Sequence, residues 1–88
     1  MTTSTITESD VIKGLQDVLT EVSGVPPEKV VRDARFDFHL DVDSLSMVEV
    51  VVACEERFAV RIPDEALESL ATVGDAVDYI LTAAAQPA

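Results

Sequence analysis

Apolar residues recur at helical spacing in three stretches of this 88-residue chain, each bounded by start or stop signals. In the first, Val11, Leu15, Val18 and Val22 step by three and four residues, and Ile12 and Leu19 widen the stripe. Thr7-x-x-Asp10 opens it as a variant of the capping box; Gly24, then Pro26 and Pro27, close it. Gly14 lies inside, where glycine costs up to ~1 kcal/mol relative to alanine. The second stretch starts at Asp43 or Ser44 and runs to about Phe58. Met47, Val50, Val51, Cys54 and Phe58 fall on one face, and Leu45, Val48 and Val52 on another, interleaved with Glu49, Glu55 and Glu56. A small domain needs only one apolar face per helix, so the second stripe is a candidate contact surface. The alternative is a more deeply buried helix. In the third stretch Thr72-x-x-Asp75 opens a helix whose Val73, Val77, Ile80 and Ala84 are expected to face inward.

Between these stretches the chain is not polar filler. Residues 25–42 form a connection far longer than the ~4–6 residues typical of loops. Val25, Val30, Val31, Phe36, Phe38, Leu40 and Val42 are expected to pin it across the core, and Pro27-Glu28-Lys29-Val30 suits one helical turn. Phe58 to Ile62 alternates like a strand, but no second strand pattern exists to pair with it. It reads as an extended connection with Val60 and Ile62 turned inward. Pro63 then fits the start of a short helix, Asp64 to Leu70, with acids in its first turn. The pattern predicts an all-α fold: a small bundle of three main helices plus a short fourth. Residues 1–6 read as a flexible tail, 7–85 as one domain and 86–88 as a frayed end, with fraying expected from Ala83 onward.

Charge narrows the function. Seventeen acidic residues stand against six basic ones, for a net charge of −11. Nucleic acids and anionic membranes are disfavoured as partners, because phosphates need a basic patch. A basic protein surface would be attracted and steered, although acidity by itself also serves solubility. The single cysteine, Cys54, rules out an internal disulfide and a zinc cluster. No stretch reads as a signal peptide or reaches the ~18 apolar residues of a membrane span, so the expected location is the cytoplasm.

Asp43-Ser44-Leu45 is the motif most open to chemistry. Asp43 suits the N-cap of the second helix, and an Asp-Ser pair commonly does no more than open a helix. A serine nucleophile needs an oriented base and an oxyanion hole. The one histidine, His39, lies five residues before Ser44, and no glycine-rich elbow surrounds the serine. Ser44 is therefore better placed to be modified than to react. Cys54, on an apolar face, reads as an inert small hydrophobe. The acids lack calcium-loop spacing, and no metal site is expected.

Several spaced motifs then occur in order: Asp43-Ser44-Leu45, Val48-Glu49, Glu55-Glu56-x-Phe58, Ile62-Pro63-Asp64-Glu65 and Thr72-Val73-Gly74-Asp75-Ala76-Val77-x-Tyr79-Ile80. On these the chain resembles an acyl carrier protein of the bacterial type II fatty-acid synthase class. The resemblance covers nearly the whole chain and is strongest in its second half. It implies a right-handed bundle of three main helices plus a short one. It implies that a phosphopantetheinyl transferase esterifies Ser44 with 4′-phosphopantetheine from coenzyme A, and that acyl groups ride on the arm as thioesters. It also implies a docking face of Asp43, Leu45, Val48, Glu49, Val52, Glu55 and Glu56. Its partners would be acyltransferase, ketosynthase, ketoreductase, dehydratase and enoyl reductase type enzymes with basic patches, which a monomeric carrier would visit in turn. Val51, Cys54, Ile62 and Leu67 are candidates to line a shelter for the acyl chain.

The chain departs from the class at His39, where an acid is usual, at Phe38 beside it, and at Ser46, where an acid commonly follows the modified serine. These changes bear on partner choice. They leave open a dedicated carrier for a polyketide or other specialised pathway. Asp41-Val42-Asp43 replaces the glycines usual before the serine in carriers of peptide synthetases, which disfavours that subclass. A different class of function, an acidic adaptor without a prosthetic group, also remains compatible with the charge.

Overall fold

Three α-helices and two short 3-10 segments build the protein in a computed structural model that describes residues 6–85. Helix α1 spans Glu8–Ser23, α2 spans Ser44–Phe58 and α3 spans Val73–Ala85. The 3-10 segments are Pro27–Lys29 and Asp64–Ser69. The architecture is the expected small helical bundle, and no strand occurs among the described residues.

Local signals set the helix ends. Thr7 and Asp10 form a full reciprocal capping box: the Asp10 N–H donates to Thr7 Oγ1 at 3.2 Å, and the Thr7 N–H donates to Asp10 Oδ2 at 3.1 Å. Two of the free donors at the start of α1 are thereby satisfied. Gly24 ends α1 in the left-handed conformation, at φ 70°, which glycine adopts without a Cβ penalty. Thr72 and Asp75 repeat the reciprocal cap before α3, with bonds of 3.1 Å in each direction. Ala59 ends α2 at φ 55°, a left-handed cap without glycine.

Helix α1 packs against both other helices. Val11, Leu15, Val18 and Leu19 from α1, Val50, Val51 and Cys54 from α2, and Val73, Val77 and Ile80 from α3 are all buried. Ile6, placed in the tail by the sequence, is partly buried against this core. Residues 1–5 and 86–88 of the expected termini lie outside the described residues. Two expectations for the end of α3 need correction. Ala84 is exposed, and Ala83 is the residue that packs on the core. Residues 83–85 continue the helix instead of fraying, because Leu81 and Ala83 still find apolar neighbours.

The 25–42 connection is threaded as expected at Val25, Val30, Phe36, Leu40 and Val42, which are buried. The same expectation fails at Val31 and Phe38, which are 53% and 77% exposed. The connection is irregular, so no periodicity fixes which side chains turn inward; backbone hydrogen bonds decide instead. Val73 and Gly74 N–H donate to the Ala34 and Arg32 carbonyls, both at 2.9 Å, and Phe36 N–H donates to the Ala71 carbonyl at 3.1 Å. Free donors of the first turn of α3 thus hold the loop. Arg32 adds ion pairs to Glu8 of α1 and Asp78 of α3. The expected Asp64–Leu70 helix is a 3-10 segment ending at Ser69, closed by bonds three residues apart: Ala66 N–H to the Pro63 carbonyl and Leu70 N–H to the Leu67 carbonyl. Val60 and Ile62 turn inward as the alternation predicts.

Candidate functional site

Ser44 is the first residue of α2 because Asp43 stops the extended chain and caps the helix. Asp43 Oδ1 accepts the Ser46 N–H at 2.8 Å, and its carbonyl accepts the Met47 N–H at 2.8 Å. The Ser46 N–H, then the Ser46 hydroxyl and more weakly the Leu45 N–H, favour the charged form and hold the Asp43 carboxyl below its ordinary value. Ser44 is exposed, and no side chain among the described residues hydrogen-bonds its hydroxyl. The positive end of the α2 dipole lies beside it.

A groove of about 320 Å³ opens next to Ser44. The N-cap Asp43, Met47 of α2, Arg35, Asp37 and Val42 of the long connection, and Glu68, Leu70 and Ala71 share its lining. Arg35 is the one cation among these residues, against three carboxylates.

His39 and Ser44 do not come together. The imidazole Nδ1 accepts the Arg35 N–H at 2.8 Å, and the ring opens on a separate cavity with Lys29, Val31 and Phe38. Nearness in sequence does not produce a serine–base pair.

The outer face of α2 carries the second apolar stripe in the open: Leu45 is 75% exposed, and Val48 and Val52 are about half exposed. Glu49 and Glu56 are exposed around them. Glu55 differs. It is partly buried, and its Oε2 accepts the Ile62 N–H at 2.7 Å, tying the chain after α2 back onto the helix. The sequence groups Glu55 with its neighbours because helical spacing does not reveal a bond to a backbone seven residues on.

Val51, Cys54 and Ile62 line one apolar cavity; Leu67 does not, and packs at the edge of the core instead. Sequence reasoning misses Leu15, Phe36, Met47, Val50, Leu70, Ala76, Tyr79 and Ile80 in this lining. The inward stripe of α3 is the signal that points to Ile80. The cavity holds only about 10 Å³, at the lower limit for a single water. It is a seam between helices, and a hydrocarbon chain can enter only where the helices part. Burial pushes the Cys54 thiol up to about 12, so it stays protonated in this seam.

An exposed serine without a base, at a helix start beside an open groove, is suited to accept a group and hold it. That defines a carrier domain. Known proteins place it more closely: the family described as "Phosphopantetheine attachment site" matches residues 13–80. A protein of Acidothermus cellulolyticus named "Acyl carrier protein" is 53% identical over 78 residues, covering 89% of this chain and 93% of its own length. One of the same name from Kineococcus radiotolerans is 49% identical, covering 83% and 90%. The "Meromycolate extension acyl carrier protein" of Mycolicibacterium smegmatis is 47% identical, covering 84% and 75%. The chain belongs to the phosphopantetheine-bearing acyl carrier protein family, and its prosthetic group is 4′-phosphopantetheine. The residues present fit that group: the Ser44 hydroxyl is exposed and takes no side-chain hydrogen bond among the described residues, and an open groove adjoins it.

Proposed function

We propose that Ser44 is the residue that carries the 4′-phosphopantetheine arm, and that the protein presents acyl intermediates to the enzymes of fatty-acid synthesis. The observation that carries the assignment is the position of Ser44: exposed, first in α2, on a groove with room for the arm's attachment. The arm supplies a terminal thiol on which acyl groups are held as thioesters. The chain's own residues do the rest. Asp43 fixes the start of the helix, the first turn of α2 sets its dipole toward the attached phosphate, and the acidic surface steers partners.

The protein is not itself an enzyme in this reading; His39 accepts the Arg35 N–H and lines another cavity, so it does not serve Ser44 as a base. It acts as a monomer in the cytoplasm, with residues 7–85 as the carrier domain; no described helix is long and apolar enough to cross a membrane. Asp43, Leu45, Val48, Glu49, Val52 and Glu56 form the docking face, with Glu55 shaping it from below. The first partner is the phosphopantetheinyl transferase. Acyltransferase, ketosynthase, ketoreductase, dehydratase and enoyl reductase type enzymes follow, each bringing a basic patch. An acyl chain enters the seam at Val51, Cys54 and Ile62, with Leu67 at its margin.

Incubation with coenzyme A and a phosphopantetheinyl transferase, read by intact mass, tests the assignment. Wild-type protein is expected to gain one phosphopantetheine; Ser44→Ala is expected to remain folded and gain none. A labelled Ser44→Ala variant would show that another residue carries the arm.

A further inference from the structure

Three consecutive residues of the long connection converge on Arg35. Asp37 accepts from its guanidinium twice, from Nε at 3.1 Å and from Nη2 at 3.2 Å. The Phe38 ring lies 5.0 Å from the guanidinium carbon, ring centre to atom. The His39 imidazole accepts the Arg35 backbone N–H at 2.8 Å. The Arg35 carbonyl in turn accepts the N–H groups of His39 and Leu40, at 3.0 and 3.1 Å. On the other side, Arg35 bridges to Thr72. The loop is wrapped around this one residue, backbone and side chain.

An exposed Arg–Asp pair is ordinarily worth little and needs no such setting. Phe38 is 77% exposed, and the face of its ring meets the guanidinium. A carboxylate on one edge and a ring on its face restrict the rotamers of the guanidinium in advance. Its remaining N–H donors stay available, since the fork carries more donors than Asp37 uses. Arg35 is among the residues that line the groove containing Ser44.

We propose that Arg35, held by Asp37, Phe38 and His39, is a preorganised cationic subsite for the phosphodiester that joins the prosthetic arm to Ser44. The inference rests on Ser44 as the point of attachment. Electrostatics favour such a group. Asp37, Asp43 and Glu68 line the same groove, and a further anion on Ser44 adds to their mutual repulsion. The α2 N-terminus offsets part of it, and Arg35 is the only lining side chain that can offset the rest. Guanidinium is suited to the task because its planar fork matches the oxygens of a phosphate. The same wrapping accounts for two residues by which this chain departs from its class, Phe38 and His39: both shape the position of Arg35.

The test uses the full chain before and after loading, followed by NMR at two nuclei. Loading is expected to shift the Arg35 Nε–H resonance. The ³¹P resonance of loaded wild-type protein is expected to differ from that of free phosphopantetheine esterified to a serine derivative. Arg35→Gln should move the ³¹P resonance toward that free value, and Phe38→Ala should move it part of the way. Circular dichroism confirms that each variant folds; if Arg35→Gln does not, the apo-to-loaded comparison on wild type decides alone. A mass gain with an unmoved Nε–H resonance overturns the Arg35 subsite and leaves Ser44 attachment standing. No mass gain on wild type overturns both.

Discussion

Gly14 of α1 sits directly under the Phe58 ring of α2, so close that a Cβ at Gly14 would overlap ring atoms and the Arg57 Nε. Helix propensity alone counts Gly14 as a defect of up to ~1 kcal/mol. The contact makes it the residue that lets α1 and α2 approach while the ring packs on the core. Gly14→Ala is expected to destabilise the protein by about 1 kcal/mol, as overpacking outweighs the gain in propensity. In a Phe58→Ala background the same change should stabilise. Urea unfolding of the four proteins in this double-mutant cycle gives the coupling, and simple additivity would show that the ring moves aside freely.

On the proposed docking face Glu49 and Glu56 would act at a distance, whereas Glu55 also holds the Ile62 N–H. Glu49→Lys with Glu56→Lys should slow transfer of the arm at low salt, with the deficit shrinking as salt rises, since rim charges work through association rate. Stability should barely change. Glu55→Ala should instead cost about 1–3 kcal/mol, because the inward-turned Ile62 N–H loses its acceptor. Transferase kinetics and urea unfolding on both variants separate the two roles. Unchanged kinetics at low salt would remove the docking face from α2.

Cys54 should label slowly. Its thiol, raised to about 12 from an ordinary 9.0, holds a far smaller thiolate fraction than an exposed cysteine. Allowing for the higher nucleophilicity of a more basic thiolate, native alkylation at pH 8 should be on the order of 10²-fold slower than in urea. An acyl chain held in the seam should slow it further. Equal rates in native and denaturing conditions would place Cys54 at the surface.

Asp43 links stability to acidity. Its carboxyl is held below the ordinary 3.8 mainly by the Ser46 N–H. A depressed carboxyl contributes stability that is fully present above the unfolded value and lost as pH falls through the folded one. Asp43→Ala should therefore lower the urea midpoint at neutral pH, and the gap to wild type should close as pH falls below 3.8. A gap independent of pH would mean that the charge of the cap contributes nothing.

The periodic parts of the chain are legible in the amino-acid sequence by itself. Period-3.6 stripes name most of the buried residues of α1, α2 and α3, and capping residues name the three helix starts and the end of α1, because both are set within one or two helical turns. Asp43, Ser44 and the exposed row Leu45, Val48 and Val52 follow from the same short-range rules, so the proposed attachment residue and docking face are readable too. Residues 25–42 are not. There the side chains that turn inward depend on which carbonyls reach the first turn of α3, and that contact spans about forty residues of sequence. Hence Val31 and Phe38 point outward and Arg35 lines the groove of Ser44. The bond from the Ile62 N–H to Glu55 is likewise invisible to helical spacing. Gly14 makes the same point inside a helix. Sequence registers its cost, but its reason lies on another helix, since only tertiary packing brings Phe58 against it.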